Sequence, residues 1–160
     1  MSRSVTLRVR YAETDQMGIA HHANYLVWFE AARTEFLRTS GTSYADFERE
    51  GIFLPVLAAD CRYHAPARYD DILEVECSLA QLTPARLSLA YRVTRDATLI
   101  AEGSTVHAFL GPERRPVNLK KRAPRLWEIL LGLAQKDAAL IGLRLSDAVE
   151  VKGGGVGQGG

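Results

Sequence analysis

Apolar and polar residues alternate along several stretches of the chain, the period of a β-strand with one buried face. Near the N-terminus, Val5, Leu7, Val9 and Tyr11 alternate with Thr6, Arg8 and Arg10. The same alternation occupies residues 73–79 and 87–93, and further strand-like runs lie at 56–65 and 98–110. Turn-forming residues, Thr83-Pro84 and Arg95-Asp96, separate the runs at 73–79, 87–93 and 98–110. These patterns predict a first strand and a later series of antiparallel hairpins.

A long helix is predicted from Asn24 to about residue 38, with Asn24 as its N-cap and Gly41 placed to end it. Residues 25–29 are apolar on every side of this helix, which predicts that its first two turns are enclosed by other structure. A short amphipathic stretch follows at 44–50. A second helix is predicted at 124–134, where Leu126, Ile129, Leu130 and Leu133 form one apolar stripe.

The order of strand, long helix and antiparallel meander indicates an α+β fold with one curved sheet wrapped around one buried helix. Residues 1–135 are expected to form this domain, and residues 136–160 a C-terminal extension whose glycine-rich end, 153–160, is flexible. Such a sheet has an exposed edge, and pairing with a second copy protects it, so at least a homodimer is expected, as a dimer or a tetramer.

Composition narrows the classes of function. The 160 residues fit one domain, and a formal net charge of +1 argues against a nucleic-acid partner. Cys61 and Cys77 have no zinc or disulfide spacing, and no apolar run is long enough to span a membrane, so a cytoplasmic protein is expected. Neither phosphate-binding glycine motifs nor a serine-hydrolase elbow occurs in the sequence.

The chemistry-bearing residues lie in the segment 11–25, between the first strand and the helix. It contains the pair Thr14-Asp15, then Gly18 and Ile19, and finally His22-x-x-Tyr25. This segment resembles the active-site segment of the 4-hydroxybenzoyl-CoA and acyl-CoA thioesterase families, which have the hotdog fold. The resemblance extends over about residues 4–115. His21 and Ala20 depart from the residues common in those families, which bears on the acyl group more than on the reaction.

The resemblance implies an acyl-CoA thioesterase that needs no metal or organic cofactor, acting on an acyl-CoA or acyl-carrier-protein thioester. Asp15 would be general base or nucleophile, the backbone N–H near His22 would bind the developing oxyanion, and Gly18 would permit a tight turn or close substrate approach. His21, Asn24 and Tyr25 would contact the substrate. These assignments are expectations carried over from the family.

Other interpretations stay open on sequence grounds. An aspartate before a helix is more often part of an Asx-turn than a catalytic group, and His64 and His107 are expected to be structural. The basic clusters at 114–115 and 120–122 either bind coenzyme A phosphates or form an ordinary solvated surface. Two rival functions are a hydratase or dehydratase of the same fold, and a non-catalytic acyl-CoA binding or scaffold protein.

Overall fold

The computed structural model describes residues 3–141 and confirms the predicted α+β hotdog plan. Within those residues the strands form one antiparallel sheet in the order β1-β3-β4-β5-β2. The strands are β1 (Ser4–Arg8), β2 (Val56–Tyr63), β3 (Ile72–Leu82), β4 (Arg86–Arg95) and β5 (Thr98–Ala108). Strands β3, β4 and β5 are consecutive hairpins, as predicted, and β1 and β2 form the two edges.

Alternation along β3 and β4 produces one buried face. Val75 lies opposite Val93, and Leu79 opposite Leu89, all buried, whereas alternate residues such as Glu76 point away from the core. The turn joining β4 to β5 has positive φ at both Asp96 (48°) and Ala97 (65°), the backbone signature of a type I′ turn. This turn matches the twist of the flanking strands and fixes their register.

The long helix α1 (Asn24–Thr39) lies across the buried face and contacts β1, β2, β3 and β4. The ring of Phe29 stacks on Tyr91 of β4, with 4.3 Å between the ring centroids. The predicted N-cap is wrong: Ala23 occupies the cap position and Asn24 is the first helical residue. The predicted end is confirmed, because the helix stops before Gly41, which has a φ of +86°.

Two further helical segments, α2 (Tyr44–Arg49) and α3 (Leu119–Arg122), precede a long helix, α4 (Pro124–Ile141). The short stretch at 44–50 was predicted, whereas α3 was not, because only four residues carry it. Among residues 3–141, no helix combines the length and the apolar character needed to cross a membrane.

Two burial predictions are wrong. Tyr11 is 79% exposed, because β1 ends at Arg8 and the chain turns away from the sheet into a 3-10 turn (Tyr11–Glu13). On α1, Leu26 and Val27 are exposed although Tyr25, Trp28 and Phe29 are buried. The first turns of the helix therefore carry an apolar surface that the described residues leave uncovered.

Helix α4 is longer than the predicted 124–134 and passes residue 135 without a break. Its Asp137 is buried, forms an ion pair with Arg3, and accepts a 2.6 Å hydrogen bond from the Leu79 N–H. Leu79 lies on β3 beyond the point where β1 stops pairing with it. Asp137 thus satisfies a backbone donor that the sheet leaves open. The end at 153–160, predicted to be flexible, lies outside the described residues.

Candidate functional site

The loop that carries Asp15 is a small, hydrogen-bonded hairpin. The Asp15 N–H donates to the Ile19 carbonyl (2.9 Å), and the Gly18 N–H donates to the Asp15 carbonyl (3.0 Å). Thr14 and Ala20 form an antiparallel bridge below this turn. The returning arm is also attached to residues 67–68, because the Ala20 N–H donates to the Ala67 carbonyl at 2.7 Å. These bonds give the loop one defined path.

Asp15 lies at the start of this turn and is half-buried. One carboxylate oxygen, Oδ1, accepts a 2.8 Å hydrogen bond from the Met17 N–H, so the side chain forms an Asx-turn. Within residues 3–141 the Asp15 carboxylate accepts no further hydrogen bond. The turn orients the carboxylate through Oδ1 and leaves Oδ2 available.

Gly18 has a φ of +74°, in the left-handed region that favours glycine. A Cβ built on Gly18 meets nothing within 4 Å. Two reasons for glycine at this position were predicted, a tight turn and a close approach of substrate. The positive φ supports the tight turn, and the described residues leave enough room for a side chain at Gly18.

His21 and His22 are both exposed, and their rings stack with 4.2 Å between centroids. The His21 Nδ1 accepts from the Ala23 N–H (3.2 Å), and the His21 carbonyl accepts from the Asn24 N–H (3.0 Å). The His22 carbonyl accepts from the Tyr25 N–H (3.4 Å). The N–H of His22 itself finds no acceptor in the described part of the chain. It is therefore a free donor beside the start of α1.

Asn24 and Tyr25, predicted to contact substrate, both make contacts within the chain. The Asn24 Nδ2 donates to the carbonyls of Glu13 (2.9 Å) and His21 (3.3 Å). Tyr25 is 2% exposed, and its ring packs against Trp28 and Tyr63. Burial raises the pKa of Tyr25, so its hydroxyl stays protonated. Substrate contact by these two residues stays a prediction.

Glu13 and Trp28 were missed by the sequence analysis although they lie at the base of the loop. Glu13 is 5% exposed, and its Oε2 accepts a 2.8 Å hydrogen bond from the Trp28 Nε1–H. Burial raises the pKa of Glu13, but the hydrogen bonds from Arg10 and Trp28 outweigh burial and hold the pKa below its ordinary value. The alternation of the first strand gives no sign of Glu13, because the strand ends at Arg8 and Tyr11, in the same phase, is exposed.

A cleft lies away from this loop, on the outer face of the sheet. It has a volume of about 580 Å³ and is lined chiefly by outward-facing residues of the sheet, including Asp60, Arg62, Glu76, Arg92 and Glu102. None of the six predicted site residues lines it. Within residues 3–141 no group of three or more His, Cys, Asp or Glu side chains is placed to hold a metal ion, and the expectation of a metal-free reaction stays a prediction.

Comparisons with known proteins agree with this fold. Residues 9–133 match the family model of the thioesterase-like superfamily. The acyl-CoA thioester hydrolase YbgC of Escherichia coli is 31% identical over 118 residues, which cover 73% of this chain and 85% of that protein. The solved structure of a DHNA-CoA thioesterase from Staphylococcus aureus has a TM-score of 0.80 and 28% identity, covering 89% of this chain and 95% of that one. A hypothetical protein from Thermus thermophilus has a TM-score of 0.73 and 39% identity, covering 82% and 97%.

Proposed function

The chain belongs to the thioesterase-like superfamily, and on that premise we propose that it hydrolyses an acyl-CoA thioester to the free acid and coenzyme A. The YbgC relative is named as an acyl-CoA thioester hydrolase, and the Staphylococcus aureus neighbour as a DHNA-CoA thioesterase. Both names support coenzyme A as the thiol. An acyl-carrier-protein thioester has the same reacting group and is a second substrate to test.

One observation carries the proposal: a fixed loop presents a carboxylate with one free oxygen, Asp15, and ends at a free backbone donor, the His22 N–H. Thioester hydrolysis needs a group that activates water or attacks the carbonyl carbon, and a dipole where the carbonyl oxygen gains charge. Asp15 supplies the first. The His22 N–H, adjacent to the positive end of the α1 dipole, supplies the second.

Two routes use Asp15. As a general base, the carboxylate takes a proton from water, whose oxygen attacks the thioester carbon; the C–S bond then breaks and the coenzyme A thiolate takes up the proton. As a nucleophile, Asp15 attacks the same carbon, expels the thiolate and forms a mixed anhydride that water opens. In both routes the backbone donor stabilises the negative oxygen of the tetrahedral intermediate.

The test is release of free thiol from short, medium, long and aromatic acyl-CoAs, measured with a thiol reagent. We expect turnover with at least one of them. Acyl-CoA binding without thiol release across the whole panel would replace hydrolysis with a binding role. A single turnover in ¹⁸O water then tests the nucleophilic route: label in Asp15 itself requires an anhydride opened at the Asp15 carboxyl carbon, whereas label in the product acid alone fits a general base or opening at the acyl carbon.

We also propose that the protein is a homodimer in which β2 pairs with its symmetry mate. β2 is an edge strand that carries exposed apolar residues, among them Val56, Leu57 and Tyr63. Leu26 and Val27, exposed on α1, add to the apolar surface that a partner would cover. Pairing two edges satisfies the open backbone groups and buries these side chains together. Two such dimers forming a tetramer are compatible with the same interface.

A cytoplasmic location is part of the proposal. Neither Cys61 nor Cys77 forms a disulfide, and both keep their thiols, as proteins of a reducing compartment do. Coenzyme A thioesters as substrates fit the same setting.

A further inference from the structure

We propose that Glu13 is a positioning residue of this thioesterase, which fixes the Asp15 loop against α1 through its bond to Trp28. The inference rests on the proposed function for its effect on turnover. Its structural part, that one buried carboxylate sets the path of the loop, stands on the contacts alone.

Glu13 joins three parts of the site. Its Oε1 accepts from the Arg10 N–H (2.8 Å), before the loop, and its Oε2 accepts from the Trp28 Nε1–H (2.8 Å), on α1. Its backbone carbonyl accepts from the His21 N–H (2.7 Å) and from the Asn24 Nδ2 (2.9 Å). The outgoing arm, the returning arm and the helix are therefore held at one residue.

The buried charge indicates that this geometry is specified. A carboxylate that is 5% exposed is costly unless its oxygens are hydrogen-bonded, and here both are. An apolar side chain of similar size would avoid that cost but would hold neither Arg10 nor Trp28 in a fixed direction. Asp15 follows two residues later, so a change in the angle of the 3-10 turn is transmitted to its carboxylate.

Glu13→Gln distinguishes the hydrogen-bonding role of Glu13 from the space that its side chain fills. Glutamine has nearly the same shape, but only one of its two terminal atoms accepts hydrogen bonds, so its NH₂ must face either the Arg10 N–H or the Trp28 Nε1–H. The loop shifts to relieve that contact. Because a misplacement of about 1 Å can cost roughly 10²-fold in rate, we expect kcat to fall by about 10-fold or more, with KM changed by less than about threefold.

Asp137→Asn is the matched control. Asp137 is likewise a buried carboxylate that accepts a backbone N–H and pairs with an arginine, but it lies on α4 and touches no residue of the loop. Asp137→Asn should lower the melting temperature while leaving kcat within about twofold of the wild-type value, at a temperature where both variants are folded. Equal losses of kcat in the two variants, or an unchanged kcat in Glu13→Gln, would overturn the proposal.

Trp28→Phe supplies a rescue test. It removes the Nε1–H and keeps most of the ring, so in the Glu13→Gln background the glutamine NH₂ no longer faces a donor. We expect the double variant to have a kcat no lower than that of Glu13→Gln alone, a non-additive result that indicates direct coupling. Multiplicative losses would contradict a bond acting between these two residues.

Amide hydrogen exchange of the full chain tests the clamp without turnover. Glu13→Gln should speed exchange in peptides covering residues 14–22, and Asp137→Asn should not. If wild-type protein releases no thiol from any substrate yet this exchange pattern holds, the proposed function fails and the positioning of the loop stands. Unchanged exchange in Glu13→Gln would overturn the inference even for an active thioesterase.

Discussion

The Tyr63 hydroxyl donates a 2.9 Å hydrogen bond to the carbonyl oxygen of His22, which joins the edge strand β2 to the residue whose N–H is free beside α1. Partial burial raises the pKa of Tyr63 to about 12, and the Cys61 side chain adds to the shift, so the hydroxyl remains a donor at neutral pH. A direct hydrogen bond therefore connects the surface proposed for dimer formation to the residue that carries the proposed oxyanion donor.

Tyr63→Phe should reduce kcat by about fivefold, the effect of losing one hydrogen bond worth about 1 kcal/mol. The reason is that the peptide unit at His22 loses the bond that fixes its direction. Thiol release measures the effect, with Tyr69→Phe as control, since Tyr69 is also exposed and lies outside the hydrogen bonds of the loop. Equal rates for wild type and Tyr63→Phe would remove this bond from the mechanism.

Asp15→Asn should lower kcat by about 10² to 10⁴, with thermal unfolding almost unchanged. Asparagine keeps an Oδ1 that accepts the Met17 N–H, so the Asx-turn survives while the basic carboxylate is lost. Asp70→Asn is the control, because Asp70 is an exposed carboxylate paired with Arg8 and its positive φ suits asparagine. Full activity in Asp15→Asn would show that the residue only shapes the turn.

Leu57→Glu should convert the proposed dimer to monomer, because it places two charges near each other on the paired β2 edges. Size-exclusion chromatography with light scattering reads the mass directly. Ile72→Glu introduces the same charge at an equally exposed apolar position, 51% against 50% for Leu57, at the start of β3. It should leave the mass unchanged; a monomeric wild type would refute the dimer.

His107 should make the fold less stable as pH falls. Burial lowers its pKa; the hydrogen bond to the Leu54 carbonyl raises it, nearby Arg33 lowers it, and the net pKa lies below the ordinary value. As pH falls, the unfolded chain therefore binds the proton first. The contribution of His107 to the free energy of unfolding is complete above pH about 6.5 and is lost as pH falls through the lower pKa of the folded state. Urea unfolding at several pH values measures it.

In the same experiment His107→Gln should flatten the dependence of the unfolding free energy on pH below pH about 6.5. His64→Gln is the comparison, because His64 is exposed and follows β2. The neutral ring fits its surroundings: Nδ1–H donates to Leu54, and Nε2 accepts from Thr105, which in turn accepts from Tyr91. A slope that persists in His107→Gln would assign the acid sensitivity to other groups.

The meander was predictable because period-two alternation records which face of a strand is buried. It held for β3 and β4. The same reasoning failed for Tyr11, since nothing in the alternation marks the end of pairing with β3 at Arg8. Leu26 and Val27 are predicted to be enclosed by other structure, and among residues 3–141 they are exposed. Hydrophobicity shows that a side chain avoids water but not whether its own chain or a second copy covers it.

The site was predictable only as a list of neighbours in sequence. Asp15, Gly18 and His22 do share one loop, but the assignment of Asn24 as a cap was wrong because its amide instead donates to the carbonyls of Glu13 and His21. Such bonds depend on where two arms meet in space. The same holds for the pairing of Glu13 with Trp28, which lies fifteen residues away along the chain.

The contact between Asp137 and the Leu79 N–H bears on how the protein is produced for study. A fragment cut after residue 135 would lose the acceptor of a buried amide and the partner of Arg3, although it retains β1 to β5. We expect such a truncated clone to express as a less stable, aggregation-prone product, so the whole of α4 belongs in any minimal version of the enzyme.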